Sequence, residues 1–125
     1  MIYDINNLVC KYKTGAHPAL VIKDLQIFDT ERVFFIGSSG VGKSTILETL
    51  GFMNNTIEKA DRFTFNHSLG EENMLEVWKK SESYLSNIRN SNLSFIFQVT
   101  NLFTTLNAED NVLLTLLLQG TSKIQ

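Results

Sequence analysis

Three observations predict an α/β fold for this chain. A glycine-rich turn, Gly37 to Ser44, stands between the apolar run Val33-Phe34-Phe35-Ile36 and a segment in which Ile46, Leu47 and Leu50 recur at helical spacing. Two loosely alternating segments precede this unit, and a second apolar run, Leu93-Ser94-Phe95-Ile96-Phe97, follows it. Buried strand, turn and helix in that order describe part of a parallel-sheet core, with a small antiparallel sheet ahead of it.

The elements follow in order. Leu8, Val9, Cys10 and Tyr12 read as a strand running to the turn 13–18, where Gly15 and Pro18 are breakers. Leu20, Ile22, Leu25, Ile27 and Phe28 form a second strand pattern, and Asp29-Thr30-Glu31-Arg32 is a polar turn into the buried strand 33–36. Gly51 is a stop for the first helix, Asn54-Asn55 a loop, and Arg62 to Asn66 a short alternating strand. Met74, Leu75, Trp78, Leu85 and Ile88 predict an amphipathic helix over 71–90, with Trp78 as a packing residue. Leu93 to Phe97 reads as a buried strand ending at Gln98. Asn107 is placed to cap a helix through Val112, Leu113, Leu116 and Leu117 that ends near Gly120. That helix is apolar around most of its circumference, so the domain or another protein must cover it. His17 and His67 read as solvated loop residues.

The 125 residues suffice for one domain with a core. A net charge of −2 and a pI near 5.6 give no general attraction to nucleic acid, so anion binding has to be local. With Cys10 alone, no intrachain disulfide forms, which fits a reducing compartment. The first residues lack the basic and apolar pattern of a signal peptide, and the longest apolar run, Val112 to Leu118, is far short of the ~20 residues of a membrane span.

Gly37 to Ser44 matches GxxxxGK(S/T) at every fixed position, between strand-like and helix-like segments. Glycines at 37, 40 and 42 let successive N–H groups converge on one concavity, and the helix from Lys43 adds the positive end of its dipole. Residues Gly37, Ser38, Ser39, Gly40, Val41, Gly42, Lys43, Ser44 and Thr45 would thus surround a polyphosphate. Lys43 would place its ammonium on the β and γ phosphates, the Ser44 hydroxyl would ligate Mg²⁺, and Thr45 would offer a hydroxyl or N–H to phosphates nearer the ribose.

The order of Tyr12, the loop 37–45, Phe95-Ile96-Phe97-Gln98, Asn101-Leu102 and Glu109-Asp110-Asn111-Val112 resembles the first half of an ABC transporter nucleotide-binding domain. It is most similar to the branch serving lipoprotein release and macrolide-type export. The resemblance spans essentially the whole chain. It implies an ABC-type phosphate-loop core with ATP and Mg²⁺ as ligands. Tyr12 would be the aromatic that stacks on adenine, with Tyr3 as a rival. Gln98 would be the glutamine-loop residue, which ligates Mg²⁺ or orients the attacking water beside the membrane partner. It further implies a transmembrane transporter subunit or domain and a second nucleotide-binding domain as partners, without nucleic acid, at the cytoplasmic face of the membrane.

A complete domain of that family continues with a signature segment, an acidic strand ending in aspartate and glutamate, and a switch histidine. None of these occurs in 1–125. The chain is therefore expected to be the N-terminal portion of one such domain, with an incomplete sheet. It should bind ATP and hydrolyse it weakly or not at all. Two alternatives stay open: the head of an SMC or DNA-repair type ATPase, in which apolar heptads would follow, and a nucleotide-binding regulatory half-domain that never hydrolyses.

Overall fold

The computed structural model describes residues 1–97 and 102–118. They fall into two units, residues 1–94 and the segment from residue 95 onward. In the first, β1 (Tyr3–Cys10) and β2 (Leu20–Ile27) form a long hairpin. On its other side β1 pairs antiparallel with β3 (Ile57–Lys59) near Cys10 and with β4 (Arg62–His67) nearer its start. A tight turn joins β4 to β5 (Gly70–Asn73), so the sheet order is β2-β1-β4-β5.

The loose alternation of β1 has a local cause. Asn7 sits at φ 49, which changes the phase of the strand: Tyr3 and Ile5 face the core before it, Leu8 and Cys10 after it. Across the hairpin β2 makes the matching change, from Leu20 and Ile22 to Leu25 and Ile27. Asn7 is also where β1 changes partner from β4 to β3, and its side-chain amide donates to Asn6 Oδ1 and Asp61 Oδ2.

Helix α1 (Lys43–Leu50) buries Thr45, Ile46, Thr49 and Leu50. Its last turn closes through Gly51 and Phe52, the latter at φ 55 with its side chain fully buried. The Tyr3 hydroxyl donates to Leu50 O at 2.8 Å and Arg89 Nη1 to Phe52 O at 2.8 Å, so two long-range donors satisfy carbonyls at this helix end. Phe52, Phe63, Phe65, Met74 and Val77 complete the core.

Three expected elements differ. The segment 71–90 is not one helix: β5 is followed by a 3₁₀ turn (Val77–Lys79) and α2 (Glu82–Asn92). The Ser68-Leu69-Gly70 turn starts the hairpin, Asn73 Oδ1 accepts from Leu75 N, and Ser81 Oγ accepts from Tyr84 N as the cap of α2, so local polar groups divide the apolar stripe. His67 ends β4 and is not a solvated loop residue; its side chain is 7% exposed and stacks on Phe65.

The runs 33–36 and 93–97 are the other two corrections. Neither is a strand among the described residues, and Phe34, Ile36 and Ile96 are 79%, 92% and 96% exposed. An apolar run becomes a strand only where a neighbour accepts its backbone hydrogen bonds, and among the described residues neither run has such a pairing. The second unit contains α3 (Ala108–Leu118), which Asn107 caps through Asp110 N at 2.8 Å. Its expected end near Gly120 lies outside the described residues.

Candidate functional site

The loop 37–42 runs from the extended segment into α1. Gly40 and Gly42 have φ of 80 and 100, where a side chain is strained. Gly42 is doubly constrained, because a Cβ there would lie 2.8 Å from Ala19 O and 3.2 Å from Leu20 Cβ. The connection from β1 to β2 therefore packs directly on the residue that precedes α1.

Gly42 supplies no side-chain cap, and no acidic residue occupies the first turn of α1. The N–H groups of Lys43, Ser44 and Thr45 thus lie at an uncapped positive helix end. Lys43 curls back over the loop and donates from Nζ to Gly37 O at 2.8 Å and Ser38 O at 2.6 Å. Its ammonium is then positioned within the turn, on weak carbonyl acceptors that an anion would outcompete. Ser38, Ser39, Gly40 and Ser44 are exposed along the rim, Val41 is half-exposed, and Ile46 anchors the helix in the core.

The two tyrosines separate. Tyr3 is buried, and burial pushes its hydroxyl well above the ordinary tyrosine range. Tyr12 is 37% exposed, and its hydroxyl lies 3.0 Å from Thr45 Oγ1 on the first turn of α1. The Thr45 side chain is thereby engaged with Tyr12, and its N–H remains at the helix end. Composition and spacing gave no sign of this pairing, because the two residues are 33 positions apart. Gln98 lies outside the described residues.

A cleft of about 350 Å³ opens beneath the loop, lined by Leu20, Ile22, Leu25, Phe34, Val41 and Lys43 among others. Its walls are mostly apolar, which suits hydrophobic side chains and not a triphosphate. The seat for an anion is instead the rim where N–H groups and Lys43 converge.

In the second unit, Asn111 organises the start of α3. Its Oδ1 accepts from Phe103 N at 2.8 Å, and its Nδ2 lies within 3.1 Å of the carbonyls of Phe103, Leu106 and Asn107. One amide thus holds the loop 103–107 onto the first turn of α3. Among the described residues no cluster of metal-ligating side chains occurs, and no helix is long and apolar enough to cross a membrane.

A glycine loop with a back-folded lysine, set before an uncapped helix and beside an antiparallel sheet, defines the phosphate-loop nucleotide-binding class. Comparison with known proteins narrows this: the ABC transporter family model matches residues 22–125, and the chain belongs to that family. It is similar to "Lipoprotein-releasing system ATP-binding protein LolD" of Pseudoalteromonas translucida, with 32% identity over 98% of this chain and 50% of the relative. The proteins of the same name from Shewanella sp. (strain MR-4) and Wigglesworthia glossinidia brevipalpis are 34% and 33% identical, over 82% and 86% of this chain and 40% and 48% of theirs. The chain thus spans about half the length of the curated relatives it matches.

Proposed function

We propose that this chain binds Mg²⁺-ATP at residues 37–45 as part of an ABC transporter ATPase. In that role the whole protein couples ATP hydrolysis to transport across a membrane, as the relatives' lipoprotein-releasing name suggests. The observation that carries the reading is the uncapped start of α1 with the Lys43 ammonium already folded over the loop. The donor set fits a Mg²⁺-triphosphate: main-chain N–H groups at a positive helix end, one ammonium, and the exposed Ser44 hydroxyl.

In this reading Lys43 would exchange the carbonyls of Gly37 and Ser38 for the β and γ phosphates, and Ser44 Oγ would help to hold the cation. Tyr12 would stack on the base, and Gln98 would help to hold the metal and to position the attacking water. A cation held there would neutralise charge on the phosphates. The partners are a transmembrane transporter subunit or domain and a second nucleotide-binding domain, with the assembly at the cytoplasmic side of the membrane. The exposed side chains of Leu102, Phe103 and Val112 support a protein-facing surface in the second unit.

Lys43→Ala tests the reading. Loss of a charge-assisted contact of about 1.5–3 kcal/mol predicts an increase in Kd for Mg²⁺-ATP of roughly ten- to 150-fold. Unchanged affinity would refute the role of Lys43. Phosphate release by the 125-residue chain should stay at background while binding persists, because neither a catalytic carboxylate strand nor a signature segment is present in it.

A further inference from the structure

We propose that Thr45 is a positioning residue: its hydroxyl fixes the Tyr12 ring at the mouth of the phosphate loop, so that the base platform is in place before nucleotide arrives. This rests on the nucleotide-binding reading and adds a residue role to it. The observations form a closed circuit. Tyr12 Oη lies 3.0 Å from Thr45 Oγ1, and Thr45 O accepts from Thr49 Oγ1 at 2.7 Å. Thr49 Oγ1 is 2.9 Å from Thr56 Oγ1, and Thr56 O accepts from Lys11 N at 2.7 Å, one residue before Tyr12. The hydroxyl of this tyrosine is thus tied to α1, and the backbone of the residue before it is tied to Thr56 at the entry to β3.

The circuit is buried where it matters: Thr45, Thr49 and Thr56 are 5%, 0% and 2% exposed, while Tyr12 is 37% exposed. Tyr12 O also accepts from Gly15 N at 2.9 Å, and the same connection rests on Gly42 through Ala19 O. The hairpin therefore meets the phosphate loop at two points, one on each side of Lys43. A ring held this way loses little conformational freedom when a base lies on it, which strengthens binding of a base-bearing ligand without touching its phosphates.

The test compares Mg²⁺-ATP with Mg²⁺-tripolyphosphate, which has the charge and no base, by equilibrium titration of the full chain. Thr45→Val and Tyr12→Phe should each weaken ATP roughly three- to tenfold more than they weaken tripolyphosphate. The double variant should be no weaker than either single one, and Thr45→Ser should restore ATP binding. Equal losses for both ligands in Thr45→Val would overturn the proposal by placing the hydroxyl on the phosphates or in fold stability. No loss for ATP in either variant would overturn it by showing that the ring needs no anchor. If the unaltered chain bound tripolyphosphate normally, the loop reading would survive that failure. If a folded sample bound neither ligand, both readings would fall together.

Discussion

At the scale of single residues, Gly42 carries the most constraint, because conformation and space act on one atom. Its φ of 100 disfavours a side chain, and the site for a Cβ lies against the Ala19 carbonyl, which cannot swing away as a side-chain tip can. Gly42→Ala should cost about 2 kcal/mol or more in denaturant unfolding. Gly40→Ala, at φ 80 but with nothing within 4 Å of the new carbon, should cost only the conformational part, ~1 kcal/mol. Equal costs would remove the argument from close packing. Glu72 supplies a pH signature of the fold. Burial pushes its carboxyl up, but hydrogen bonds from Tyr84 and Lys80 and the charge of Lys80 outweigh it, so its pKa lies below the ordinary 4.5. A depressed folded pKa stabilises the fold above the unfolded value and loses that contribution as pH falls through the folded value. Unfolding followed from pH 7 to below 4 should show this acid loss, and Glu72→Gln should flatten that part of the curve. The glycine requirement was legible in the loop pattern, whereas Glu72 gave no signal, since its partners come from a turn and a helix eight and twelve positions away.

Among the elements, those specified by local chemistry were readable. Gly42 and Gly51 bracket α1, Asn107 caps α3, and β1, β2 and β4 fall on apolar runs of the right length. The segment 71–90 was not, because Met74, Trp78, Leu85 and Ile88 share a core for different reasons. A strand end, a 3₁₀ turn and a helix each contribute, and a sum of their apolar positions mimics one helical stripe. β3 and β5 were missed because three- and four-residue strands with polar sequences are defined by their neighbours and not by their own pattern. Helix α2 is joined to α1 by Arg89, which donates to Phe52 O and pairs with Glu82. Arg89→Ala should leave that carbonyl unpaired and cost about 1–3 kcal/mol in thermal or chemical unfolding, with little recovery in Arg89→Lys. Full recovery by lysine would show that only the charge matters.

For the whole molecule, the central feature is that the first unit has its core on the antiparallel side of the phosphate loop, while the apolar run leading into the loop touches that core only through Phe35. Phe63 is fully buried and Phe34 is 79% exposed, although Phe34 lies in the more apolar sequence, Val33 to Ile36 against Arg62 to Asn66. Phe63→Ala should therefore cost about 3–5 kcal/mol, and Phe34→Ser less than about 0.5 kcal/mol. A large cost at Phe34 would mean that the run 33–36 is part of the folded core after all. The family was readable because its motifs are local strings of residues, and the fate of 33–36 was not, because strand formation depends on a pairing partner that no single segment encodes. The account as a whole rests on the loop acting as an anion seat. Its most direct test is isothermal titration of Mg²⁺-ATP into the folded chain and into Lys43→Ala under the same conditions. Saturable one-site binding that weakens at least tenfold in the variant is the predicted result, and a folded chain that takes up no nucleotide, or binds it equally well without the lysine, would contradict it.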